Sequence, residues 1–134
     1  MTVNPADLAR FQSNITKFSS EMIPLEVDLF MRKVSLDILK GVVMKTPVDT
    51  GRMRGNWDVG VDAEPTGFDE TKSDKQGDQT IQQNVSNLGT PGSLGKHGKT
   101  VFIVNNVPYA ARIEDGHSKR KPDGVLGPTL REIL

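Results

Sequence analysis

The sequence has no cysteine, one tryptophan and one tyrosine among its 134 residues. Without thiols there is no disulfide framework, no thiolate metal site and no cysteine nucleophile. Aromatic residues make up 5% of the chain and hydrophobic residues 35%, little for a self-sufficient core, so neighbouring subunits are expected to add stability. Neither sign of charge prevails: seventeen basic residues balance seventeen acidic ones. Nothing therefore marks the chain as a polyelectrolyte binder of nucleic acid or lipid, and near-neutrality suits a protein surface as the main partner. No apolar run approaches the length of a membrane span, so no membrane partner is expected. Met1-Thr2-Val3-Asn4-Pro5 lacks the basic and apolar regions of a signal peptide. The expectation is a soluble, unsecreted chain forming one domain over residues 1–134, helical in 1–46 and built of sheet, loops and short helices in 47–134.

What is present begins with a helix start. Asn4 suits the N-cap, Pro5 the first helical position, and Asp7 the positive end of the dipole. Leu8, Phe11, Ile15 and Phe18 follow at helical spacing on one face. Ser19-Ser20 weakens that helix, and Pro24 starts a second over Leu25–Lys45. There Val27, Phe30, Met31, Val34, Ile38 and Val42 form a stripe that Leu29, Leu36, Leu39 and Val43 widen. Such a sector predicts burial on more than one side, by the rest of the domain or by a neighbour.

Pro47 ends this helix, because its ring clashes with helical backbone and it lacks an N–H. Asp49 and Thr50 suit hydrogen bonds to the next turn, where Gly51 permits positive φ. Met53, Gly55 and Trp57 then alternate with Arg54, Asn56 and Asp58, predicting a strand near 53–62. Residues 63–77 are polar and rich in turn formers, an exposed loop. Ile81, Val85 and Leu88 predict a short helix in 78–88, and the glycines of 89–99 a flexible stretch. Gly95-Lys96-His97 lacks the spacing of a phosphate-binding loop. Thr100–Asn105, apolar on both faces, predicts a strand central in a sheet or under a helix. An Asn106-Val107-Pro108 turn leads into a short helix with Tyr109 and Ile113, capped by Gly116. The fold expected is α+β, with N-terminal helices, one of them long, on a small, mostly antiparallel sheet and long flexible loops.

Two stretches carry a resemblance. Thr46-Pro47-Val48-Asp49-Thr50-Gly51-Arg52-Met53-Arg54-Gly55-Asn56-Trp57 is similar to the TPVDTGxLRxSW signature of small neck proteins of long-tailed bacteriophages, with Met53 for the leucine and Asn56 for the serine. Asn105-Asn106-Val107-Pro108-Tyr109-Ala110, followed by Ile113-Glu114-Asp115-Gly116-His117-Ser118, resembles that family's NxxPYAxxxExGxS segment. Pro122-Asp123-Gly124 resembles its proline–glycine exit, after which the family often carries a longer C-terminal helix than the few residues beyond Pro128. The resemblance covers most of residues 25–134. It implies a structural virion protein made in the bacterial cytoplasm and placed at the head–tail junction. There it would form a homo-oligomeric ring, a hexamer or dodecamer, between a head-side connector ring and a tail-side ring, with DNA passing transiently through. It implies no cofactor, and it makes the motif residues Pro47, Asp49, Thr50, Gly51, Arg52, Arg54, Trp57, Asn105, Asn106, Pro108, Tyr109, Glu114, Gly116 and His117 candidates for turns and interfaces. A tail terminator or minor tail protein is the structural alternative, and a phage DNA-binding or nuclease accessory protein a further one.

Catalytic readings are thin. Glu114, Asp115 and His117 are near neighbours at a helix end, and such residues rarely converge. Glu70-Thr71-Lys72 has a nuclease-like spacing but lies in a polar loop. Two histidines without cysteine are a poor basis for zinc. No enzyme and no metal are expected. Arg52 and Arg54 share a face of the predicted strand and would project together toward DNA phosphates or an acidic ring, or else Arg52 pairs with Asp49 or Glu114. Lys119, Arg120 and Lys121 either face DNA or a partner, or are solvated. Trp57 and Tyr109 are anchors of the core or of a subunit boundary, Trp57 the better suited to the core.

Overall fold

The computed structural model describes residues 4–116 and 119–133. Helix α1 spans Pro5–Lys17 and is capped as its sequence dictates, the Asn4 side chain accepting from the Ala6 N–H at 2.9 Å. The weak point at Ser19-Ser20 does not part the two helices. One π turn, Phe18–Met22, joins α1 directly to α2, Ile23–Lys45. Both serine hydroxyls donate to the Thr16 carbonyl, at 3.1 and 2.7 Å, and Pro24 brings no N–H to the helical ladder. The wider turn absorbs both: the Ile23 N–H reaches back five residues to Phe18, and the helix continues.

Only the C-terminal half of this long helix is covered. Leu39, Val42 and Val43 are buried with Trp57, Val59, Leu88, Leu94 and Val125 in the main apolar cluster. No residue of α1 is buried, and the apolar side chains through Phe30 stay largely bare, Phe11 at 62% and Phe30 at 69% exposure. The amphipathic pattern was thus read correctly as helix, but its N-terminal stripe lies outside the core.

After Thr46, which is extended, the chain forms the helical turn α3, Arg52–Gly55, and strand β1, Trp57–Val61. The strand therefore starts four residues later than the alternation of Met53 and Gly55 suggests. Gly51 sits at φ +84° and the Thr50 hydroxyl accepts from the Arg52 N–H at 3.3 Å, which turns the backbone into a helix rather than a pleat. Helix α4, Asp78–Ser86, appears where expected, and β2, Val101–Asn105, pairs antiparallel with β1 in the register Trp57 to Asn105. Helices α5, Ala110–Glu114, and α6, Leu126–Ile133, complete an α+β fold.

Among the described residues the sheet has only two strands, so β2 is an edge and not the central strand its apolar faces predict. Its five residues are only half-buried. The two outer edges differ. The Asp62 N–H points at Thr100, so by alternation Trp57 and Val59 turn their backbone groups away from β2. There the side chain of Asn84, itself buried, accepts from the Val59 N–H at 2.9 Å and donates to the Trp57 carbonyl at 2.8 Å, while Asn87 donates to the Val59 carbonyl at 3.2 Å. Two amides thus stand in for a third strand beside β1. Beside β2, the outward groups of Val101 and Ile103 meet no strand.

Candidate functional site

The two motif stretches, about sixty residues apart in sequence, meet in space. Pro47, Asp49, Gly51, Arg52 and Met53 of the first line one side of an open cleft of about 520 Å³, and Tyr109 and Ile113 of the second line the other, with Lys119 and Arg120 completing it. The floor is apolar, and the charges on the wall are three basic groups and one acidic.

The first wall is fixed by its neighbours. The Asp74 N–H donates to the Gly51 carbonyl at 3.1 Å and the Ser73 hydroxyl to the Thr50 carbonyl at 2.6 Å. A Cβ on Gly51 would lie 2.9 Å from the Asp74 nitrogen, so close approach as well as positive φ demands glycine here. Arg54 does not project beside Arg52, because two positions apart on a helical turn face different ways. Its guanidinium folds inward and donates to the carbonyls of Met44 at 3.0 Å, Thr46 at 2.8 Å and Lys75 at 2.6 Å. It thereby satisfies carbonyls left over at the C-terminus of α2. Burial lowers its pKa, against the opposing pull of Asp74. Trp57 is in the core, its indole N–H donating to the Thr46 hydroxyl at 2.7 Å.

Asp74 ties the polar loop to α4. Its carboxylate accepts from the Gly77 N–H at 2.9 Å and from the Thr80 N–H and hydroxyl at 2.8 and 2.7 Å. Burial alone would raise its pKa, but these hydrogen bonds outweigh it and the net shift is downward. Asn56, the departure from the family serine, is buried and exchanges two hydrogen bonds with the Asp69 backbone, at 2.8 and 2.9 Å.

The second wall is as firmly built. Asn105 donates to the Met53 carbonyl at 2.8 Å, a direct bond between the two motifs, and Asn106 donates to the Pro65 carbonyl at 3.0 Å. Pro108 is exposed in the turn before α5. Glu114 is not paired with Arg52. Its carboxylate accepts from the backbone N–H groups of Val125, Leu126 and Gly127 at 2.7, 2.8 and 3.0 Å, capping α6. Burial opposes its ionisation, yet those three bonds and Arg131 hold its pKa below the usual value. Gly116, at φ +87°, leaves room for the Pro122 carbonyl, and Gly124 for the Glu114 carbonyl, so Glu114, Gly116 and the proline–glycine exit form one knot. The Arg120 guanidinium donates to the Val48 carbonyl, closing this segment onto the first motif. Lys119 is exposed and Lys121 half-buried. His117 lies outside the described residues.

The expected flexible stretch 89–99 is instead anchored. Asp28, buried on α2, accepts from the Leu94 N–H at 2.8 Å and pairs with Arg32 at 2.9 Å. Arg32 in turn donates to Gly89 at 3.2 Å, to the Ser93 hydroxyl at 3.1 Å and to the Thr90 carbonyl. The burial of Asp28 would raise its pKa, and the bonds from Arg32, Leu94 and Gly92 overcome that. Sequence reading missed this clamp and the Asn84 edge cap. A charged pair four residues apart on a helix was the available signal for the clamp.

Among the described residues no three metal-ligating side chains gather. Glu70 and Asp115 are both exposed. No helix among these residues is long and apolar enough to cross a membrane. No family model, curated protein or solved structure matches the chain.

Proposed function

We propose that this chain is a structural protein of the neck of a long-tailed bacteriophage, acting by stoichiometric assembly and not by catalysis. One observation carries most of the weight: the two stretches that resemble the neck-protein motifs bond to each other and build one cleft. Their polar residues serve as turn locks and helix caps: Gly51, Arg54, Asn105, Glu114 and Gly116 all satisfy or admit backbone groups. Such use suits a rigid surface offered to another protein. In this reading the cleft, with an apolar floor and a rim of Arg52, Lys119 and Arg120, receives a segment of a neighbouring ring, and copies of the chain form a ring around the DNA path. The exposed loop 63–77 is held at Asp69, Ser73 and Asp74, and docking would cover the rest of it.

Disrupting the gene in its phage and viewing the lysate by electron microscopy tests the proposal. DNA-filled heads beside separate, normal-length tails are expected. Overlong or ragged tails would transfer the chain to tail termination, and intact infectious particles would refute a neck role. Divalent-metal-dependent DNA cleavage that is lost in Glu70→Ala or Asp115→Ala would establish the nuclease alternative.

A further inference from the structure

We propose that the bare helical arm, residues 5–30, pairs antiparallel with the arm of a second copy of this chain. Its large apolar side chains are 39–69% exposed from Leu8 to Phe30. The six that share one stripe, Leu8, Phe11, Ile15, Ile23, Val27 and Phe30, present roughly 600 Å², the upper end of what a monomeric protein usually leaves bare. Two arms facing each other would bury about 1,200 Å² or more, the lower end of the range of stable protein interfaces.

The stripe is self-complementary. The π turn lodges one extra residue, which carries the phase of Leu8, Phe11 and Ile15 on to Ile23, Val27 and Phe30. These positions are symmetric about Ser19: Leu8 falls opposite Phe30, Phe11 opposite Val27, and Ile15 opposite Ile23. A large side chain meets a smaller one at each end, and Ser19 meets itself at the crossing, where a small residue permits close approach. A two-fold interface requires such self-matching. A groove of about 480 Å³ already runs beside Ile23, Val27 and Met31 against the Gly95–Lys99 loop, where the partner's first turns would lie. A lipid surface fits less well, because Asp7, Glu21 and Glu26 outnumber Arg10 and Lys17 on the arm and an anionic bilayer attracts the reverse.

The inference goes beyond the neck reading and stands or falls separately from it, since it is tested on the purified full-length chain. The chain has no cysteine, so single introduced thiols report position without background. Mild oxidation should cross-link Ser19→Cys to itself, while Gln12→Cys, whose two copies would sit about 21 Å apart along the helices, should not cross-link. Light scattering should show a two-fold assembly, converted to monomer by Phe11→Glu with Ile15→Glu. Both sites are exposed in the single chain, so the Trp57 emission of the folded chain should hold. A monomeric wild-type chain, cross-linking at Gln12→Cys in place of Ser19→Cys, assembly indifferent to the Phe11 and Ile15 substitutions, or binding of monomers to anionic vesicles through the arm would each overturn the proposal.

Discussion

Removing the Asp28 carboxylate should be among the most damaging single changes in the chain. The residue is 3% exposed and holds two things at once, the Arg32 guanidinium and the N–H of Leu94, whose side chain is fully buried. In Asp28→Ala the Leu94 N–H loses its acceptor, a cost of about 1–3 kcal/mol for a buried donor. Arg32 loses its counter-charge, and breaking one side of a buried pair costs about 3–5 kcal/mol. The two losses share one group and do not add, so a destabilisation of about 4 kcal/mol is expected. Urea unfolding followed by the fluorescence of Trp57, the only tryptophan, measures it. Lys33→Ala is the control one residue beyond Arg32: it breaks the exposed pair with Asp37 and should cost no more than about 0.5 kcal/mol. A loss below about 1 kcal/mol in Asp28→Ala would show that the clamp does not hold the 89–99 segment and would refute the reasoning.

Three further outcomes are expected. Asn84→Ala should cost about 2–3 kcal/mol in the same assay, because it strips partners from the buried backbone of Trp57 and Val59. Gly95→Ala should destabilise by about 2 kcal/mol or more, since its Cβ would fall 1.9 Å from the Pro24 carbonyl oxygen and backbone must move; an unchanged thermal midpoint would contradict the close packing of this turn on α2. Asp28, Asp74 and Glu114 are all held below their ordinary pKa values. The unfolded chain then binds more protons, so their stabilisation is complete above about pH 5 and is lost as pH falls through the lowered folded values. Glu114→Gln should cost about 1–2 kcal/mol at pH 7 and progressively less as acid protonates the wild-type carboxyl.

The parts of the fold legible in the sequence were those fixed by local chemistry. Asn4, Pro47, Gly51 and Gly116 each act within a few residues, and each sits where its backbone preference places it. Hydrophobic spacing located α1, α2 and α4 for the same reason. Period-2 spacing failed at Met53 and Gly55 because both are buried, one on a helical turn and the other for close backbone approach to the Asp74 loop. It failed again at β2, where apolar residues on both faces suggested a central strand. Which side chains close an edge or clamp a distant loop depends on tertiary position, so Asn84 and Asp28 were invisible as such. The cleft was half legible: its residues belonged to recognisable motifs, but only folding put Tyr109 beside Arg52.

The unequal edges of the small sheet set a limit on growth. A strand that joined the sheet would do so along Val101–Asn105, because on the opposite side the Trp57 carbonyl and both backbone groups of Val59 are already taken by the amides of Asn84 and Asn87. Two copies meeting there would leave outward only the edges that those amides partly occupy. An exposed strand usually threatens to seed a fibre of indefinite length. Here the helix beside β1 covers the other edge, which disfavours strand addition beyond a single event.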